Sequence, residues 1–182
     1  MKRGLLLIDI QNDYFKNGKM ELVGPEKAGE NIARILKKFR KEQLPVFHIR
    51  HEALAPTATF FIPGTRGAEI HECAKPLNNE KIIVKNFPNS FLKTDLFKTL
   101  QESQITDLVI CGMMTHMCLD ATVRAAKDLG YSCTVIGDGC ATKDLEIFEE
   151  RVKASEVHTA FLAALSGTYA KIVMTDEFLA TD

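Results

Sequence analysis

GLLLID, residues 4–9, decides the fold. It is a continuous apolar run closed by one carboxylate. A strand that is apolar at every position belongs in a sheet covered on both faces, and such sheets are parallel. Similar runs recur down the chain: LPVFHIR (44–50), KIIVK (81–85), DLVICG (107–112), YSCTVIGD (131–138) and AKIVMT (170–175). Helical patterns lie between them. Pro25 opens a segment over 25–43 in which Ala28, Ile32, Ile35, Leu36 and Phe39 recur at helical spacing. Lys37, Lys38, Arg40 and Lys41 crowd its last turns, where the helix dipole is negative. A short helix is predicted over 93–102, capped near Thr94 or Asp95. Another is predicted over 116–130, with Thr115 as N-cap and Gly130 as its stop. Over 143–165, Leu145, Phe148, Val152, Val157, Phe161 and Leu165 form one broad helical face. Strands alternating with helices imply right-handed βαβ crossovers. The spacing therefore predicts an α/β fold: a three-layer α/β/α sandwich on a six-stranded, mostly parallel sheet, in one domain over 1–182.

Lys and Arg number 23 and Asp and Glu 24, a net charge of −1. That balance argues against nucleic acid or an anionic membrane as partner. With 46% hydrophobic and 26% charged residues, the chain is composed as a globular protein and not a disordered one. The 5 cysteines form no Cys-x-x-Cys pair, and Cys111, Cys133 and Cys140 sit in strand-like runs. No disulfide framework is expected, and reduced thiols point to a cytoplasmic protein. The apolar run near the N-terminus is too short for a signal peptide or a membrane span. Gly137-Asp138-Gly139-Cys140 lacks the third glycine of a dinucleotide fingerprint, and no cofactor is expected.

In open parallel sheets, ligands bind beyond the carboxyl ends of the strands. Three groups there differ in chemistry from their neighbours. Asp9 ends the first strand, Lys85 the third, and Cys118 follows the fourth in the first turn of a helix. Each has an ordinary reading: a turn-closing carboxylate, a solvated lysine, a small buried hydrophobe. Together they are the minimum equipment for covalent attack on a carbonyl or nitrile-like carbon. The carboxylate takes the thiol proton, while the ammonium and the helix N-terminus favour thiolate. A Cys118 pKa below the usual value of about 8.5 is the expectation. Backbone N–H groups between Gly112 and Cys118 have no intrahelical acceptors and can face an oxyanion.

LLLIDIQNDYF, VKNFPNSF and VICGMMTHMCLDATVRAAKDLGY resemble the three signature blocks of the isochorismatase-like cysteine hydrolases, and the likeness runs on to the closing TDEFL. This superfamily includes isochorismatases, nicotinamidases and N-carbamoylsarcosine amidases. The resemblance implies a catalytic triad of Asp9 as base and acid, Lys85 as electrostatic organiser and Cys118 as nucleophile. It also implies a non-proline cis peptide just before Met114, with the N–H groups of Met114 and Cys118 as oxyanion hole. A homodimer or homotetramer is expected, and the small residues of a face with Met117, Ala121, Val123, Ala125 and Ala126 suit close helix approach.

Two branches of the superfamily fit less well. Nicotinamidases carry a metal beside the triad on an Asp-x-His pair. Here that position reads His48-Ile49-Arg50-His51-Glu52, so no metal is expected, although His51, Glu52, His71 and Glu72 are the residues that would have to meet to hold one. True isochorismatases cleave a vinyl ether and lack the cysteine. The expected activity is hydrolysis of a C–N bond in a small amide, carbamoyl or ureido compound through a Cys118 thioester. The rivals are a vinyl-ether hydrolase and a non-catalytic binding protein with a relic site. Gln11, Phe15 and Phe91 are the expected substrate-binding residues, with Phe87 and Met117 further candidates for the pocket wall. His116 is not expected to be the base, because helical residues two apart do not face each other.

Overall fold

The central strand β1 (Arg3–Ile8) is buried from Gly4 onward. Leu5 and Leu7 face one side, where they meet Ile32, Ile35, Leu36 and Phe39. Leu6 and Ile8 face the other, where they meet Leu100, Leu119 and Val123. The run is apolar throughout because both of its period-2 faces are covered. The computed structural model describes residues 2–180. The other strands of its main sheet are β2 (Val46–His51), β3 (Lys81–Lys85), β4 (Asp107–Met113), β5 (Ser132–Ala141) and β8 (Lys171–Val173). Their spatial order is β3-β2-β1-β4-β5-β8, and every pairing is parallel. Helices α1 (Pro25–Lys41) and α5 (Thr175–Ala180) contribute to the first cluster. Helices α2 (Leu96–Glu102), α3 (Asp120–Asp128) and α4 (Ala154–Leu165) contribute to the second. The expected α/β/α sandwich is the observed one.

The strand order reverses direction between β1 and β4. Asp9 follows the first of these strands and Cys118 the second, so both sit at the switch point where such sheets open a crevice. No helix of the described residues is long and apolar enough to cross a membrane.

The helix expected over 143–165 begins late. Residues 145–152 form an antiparallel hairpin of β6 (Leu145–Ile147) and β7 (Glu150–Val152), and only Ala154 onward is helical. Both turn residues, Phe148 and Glu149, have positive φ, as a type I′ hairpin turn requires. Asp144 overrides the apolar spacing: its carboxylate accepts from Arg151 Nε at 2.9 Å and from Ala154 N at 2.7 Å, closing the hairpin and starting α4 together. The final expected strand is also shorter. Thr175 opens α5, donating through N and Oγ1 to Asp138 Oδ1. Within the face expected for oligomer contacts, Val123 and Ala126 are fully buried against the sheet, so α3 does not present that set to a partner.

Candidate active site

Asp9 leaves β1 in a left-handed conformation (φ 54°), with its N–H donating to Ile49 O at 3.1 Å. The short Asp side chain tolerates that geometry. Lys85 is the register partner of His51 across β2 and β3, which puts the two side chains on one face of the sheet. Asp9, Lys85 and Cys118 are each under 5% exposed. Lys85 Nζ lies 2.7 Å from Asp9 Oδ2, 3.2 Å from Cys118 Sγ and 3.0 Å from His51 Nδ1. A carboxylate oxygen of Asp9, a ring nitrogen of His51 and Cys118 Sγ lie within 4.8 Å of one another. Asp9 Oδ1 is buried with no hydrogen-bond donor among the described residues.

Cys118 is carried on a single π turn, Thr115–Leu119, before α3 begins. Both Met117 N and Leu119 N donate to Met114 O, the latter spanning five residues. The peptide between Met113 and Met114 is cis. Thr115, expected as an N-cap, makes no capping bond. Its hydroxyl donates to Ala141 O at 3.2 Å and meets His158 Nδ1 at 2.9 Å. His116 Nδ1 meets Thr142 Oγ1 at 2.5 Å. The turn is thus tied to the end of β5 on one side and to α4 on the other. His116 is committed to that tie and is not a base for Cys118.

The thiol is not acidified as expected. Burial and the Asp9 carboxylate push Cys118 up and outweigh the pull of Lys85, so the resting group is the thiol. Burial works against the Lys85 charge, but Asp9 and Cys118 prevail and its pKa is raised. His51 moves the other way. Burial and then the Lys85 charge lower it, against Asp9, which leaves a neutral ring.

Gln11, Phe15 and Phe91, the expected substrate-binding residues, are engaged with other parts of the chain. Gln11 is fully buried and spent on backbone: Nε2 donates to His51 O and Ala68 O, while Oε1 accepts from His51 N. Phe15 stacks on His71 with centroids 3.6 Å apart. Phe91 packs toward Tyr131. Of the two further candidates, Phe87 carries Lys93 over its ring, and Met117 is 41% exposed. Tyr14, Phe60 and Phe61 form an aromatic cluster beside His51. Phe61 lies 4.6 Å from Tyr14 and 5.8 Å from His51 between centroids. Its N–H is held by Asp13 Oδ2 at 2.7 Å. Tyr14 stands near the triad, since burial and then the charges of Cys118 and Asp9 raise its pKa.

The residues considered for a metal do not assemble. His71 accepts from Cys73 N and lies on Phe15, while Glu52 accepts from Arg50. Among the described residues the one clustered donor set is Asp9, His51 and Cys118, and the Lys85 ammonium already stands within 3.2 Å of an atom of each.

The isochorismatase domain family model matches residues 3–177. The chain belongs to the isochorismatase family. An uncharacterised isochorismatase family protein, YddQ of Bacillus subtilis (strain 168), is 54% identical over 98% of this chain and 99% of its own. A crystal structure of a protein from Oleispira antarctica superposes with a TM-score of 0.95 at 49% identity, covering 98% of this chain and 96% of that one. More distant members carry named activities. A streptothricin hydrolase of Streptomyces noursei is 27% identical over 96% of this chain and 60% of its own. Nicotinamidase 3 of Arabidopsis thaliana is 26% identical over 95% of this chain and 85% of its own. This isochorismatase family member is accordingly a hydrolase.

Proposed function

We propose that the protein is a cysteine hydrolase that cleaves a C–N bond of a small amide, carbamoyl or ureido compound. The observation that carries this reading is the closed contact among Asp9, Lys85 and Cys118, all buried, at the sheet's switch point. Relatives named for streptothricin hydrolysis and nicotinamidase activity support the C–N bond class. The retained cysteine favours it over vinyl-ether cleavage, which needs no nucleophilic sulfur.

A buried thiol with a raised pKa keeps its proton until substrate arrives. Cys118 Sγ then bonds the carbonyl carbon as its proton passes to Asp9. The carbonyl electron pair moves to oxygen, where the N–H groups of Met114 and Cys118 receive it. Asp9 hands the proton to the leaving nitrogen, the C–N bond breaks and a thioester remains. Water attacks the thioester with Asp9 as base, releasing the acid and restoring the thiol. Lys85, 2.7 Å from Asp9 Oδ2 and 3.2 Å from Cys118 Sγ, orients the carboxylate and compensates charge that develops on sulfur.

Ammonia release across a panel of small amides and ureido compounds tests the reading. Turnover by the natural chain, a mass increase on Cys118 during turnover and silence of Cys118→Ala are expected. Turnover that survives Cys118→Ala, or no release from any member of the panel, would overturn it.

A further inference from the structure

A lysine ammonium carries three protons. Asp9 Oδ2 at 2.7 Å and Cys118 Sγ at 3.2 Å account for two of them. The third has one partner, His51 Nδ1 at 3.0 Å, presented by the strand beside β3 at the matching register position. We propose that His51 is a positioning residue of the catalytic centre, a neutral acceptor that fixes the rotation of the Lys85 ammonium and so aims its other two protons at Asp9 and Cys118.

A buried N–H left without an acceptor is costly. An ammonium that lacked the imidazole would turn or draw in water to satisfy that proton, and its other two bonds would shift with it. The tautomer follows from the contact. With Nδ1 accepting, the neutral ring carries its proton on Nε2. Protonation of the ring would set two cationic donors 3.0 Å apart and break the bond. The groups facing the ring are Lys85 from β3, Asp9 from the end of β1, Cys118 from the π turn and the Phe61 ring. Glu52, next along the chain, is turned to Arg50. Burial and the ammonium both disfavour the imidazolium, in accord with the acceptor role. Gln11 grips His51 at both its N–H and its carbonyl, so the ring is delivered from a fixed backbone.

The inference rests on the reading of Cys118 as nucleophile, and its test has one arm that needs no substrate. Nitrogen-15 spectra of histidine-labelled protein, with His51 assigned by the signal missing from His51→Gln, report tautomer and titration. The expected state is Nε2–H with a midpoint below about 6.5. An Nδ1–H tautomer, or a ring already charged near neutrality, would overturn the role even if no substrate were found. The second arm uses any amide that the panel shows to be turned over. His51→Leu should lower kcat at least tenfold with a small change in KM. His51→Gln, which keeps an acceptor but cannot titrate, should recover much of that loss and shift the acid limb of the pH profile to lower pH. Equal loss in both variants, or an acid limb unmoved in His51→Gln, would reduce His51 to packing.

Discussion

Lys85 Nζ and Asp9 Oδ2 lie 2.7 Å apart with both side chains wholly shielded from solvent. This is a buried ion pair and not the solvated strand-end lysine that the position in sequence allows. Removing one partner from such a pair leaves an uncompensated buried charge, at a cost of about 3–5 kcal/mol. Lys85→Met should therefore lose stability as well as turnover, with turnover falling by orders of magnitude. Lys85→Arg should not rescue it, because a planar guanidinium cannot meet three acceptors arranged for one nitrogen. Urea unfolding monitored by circular dichroism is the measurement. Adding Asp9→Asn to Lys85→Met should recover part of the stability and none of the rate.

Iodoacetamide labelling of Cys118 should be slow at neutral pH and should rise with a midpoint above the ordinary thiol value of about 8.5. Burial and Asp9 both hold the proton on sulfur. Asp9→Asn should lower the midpoint, and Lys85→Met should raise it. A wild-type midpoint below the ordinary value would contradict the thiol resting state.

The parallel sheet was legible in GLLLID and DLVICG because a strand buried on both faces must be apolar throughout, and in the other four runs because they alternate with helical patterns. Asp9, Lys85 and Cys118 stood out because each interrupts or follows such a run. What could not be read lies in the segment 52–80. Nothing local to Phe61 says that this loop folds back; Gln11, Asn12 and Asp13, distant in sequence, help hold it there. His51 was visible as a strand-end histidine, but its bond to Lys85 depends on register. The thiol's resting state was misread because helix position is visible in sequence, whereas burial beside a carboxylate is not. Phe148 was misread for a related reason: helical spacing cannot reveal that Asp144 closes a hairpin.

Glu80 accepts from Arg40 Nε and Nη2, Leu77 N and His48 Nε2, and its side chain is 5% exposed. Burial alone would raise its pKa, but these bonds overcome that and hold it at about 2. A depressed carboxylate stabilises the fold fully above its unfolded value of about 4.3 and loses that contribution as pH falls toward the folded value. The stabilisation, on the order of 3 kcal/mol, should therefore fade between about pH 4.5 and pH 2. Urea titrations across that window should show the decline, and Glu80→Gln should flatten it while lowering stability at pH 7.

Gly112 is the last residue of β4 paired with β1, opposite Ile8. A Cβ there would sit 2.7 Å from Ile8 Cβ and 2.8 Å from Ile8 O. Those atoms are core and backbone immediately before Asp9, so they cannot yield as a flexible side-chain tip would. Gly112→Ala should cost at least the 1–3 kcal/mol usual for overpacking and should reduce turnover by shifting Asp9 relative to Cys118. Gly130→Ala, where no atom lies within 4 Å of the added carbon, separates the effects. Its positive φ should give a stability loss with turnover of the folded fraction unchanged.

Gln11 distinguishes a clamp from a substrate ligand. A ligand would leave stability alone when removed and would raise KM. The observed amide instead spends both its donors and its acceptor on the backbone of His51 and Ala68, with no exposure to solvent. Gln11→Leu keeps most of the volume and removes all three bonds, leaving His51 N, His51 O and Ala68 O without this partner. Each buried group so orphaned costs about 1–3 kcal/mol unless water reaches it. Loss of the clamp frees the end of β2 and the loop beyond it, which together carry His51 and Phe61 to the site. Gln11→Leu should therefore lower the urea midpoint clearly and reduce kcat more than it raises KM. Gln11→Glu should also fail, because a carboxylate cannot donate to two carbonyls. A Gln11→Leu variant with wild-type stability and a defect confined to KM would return Gln11 to the substrate.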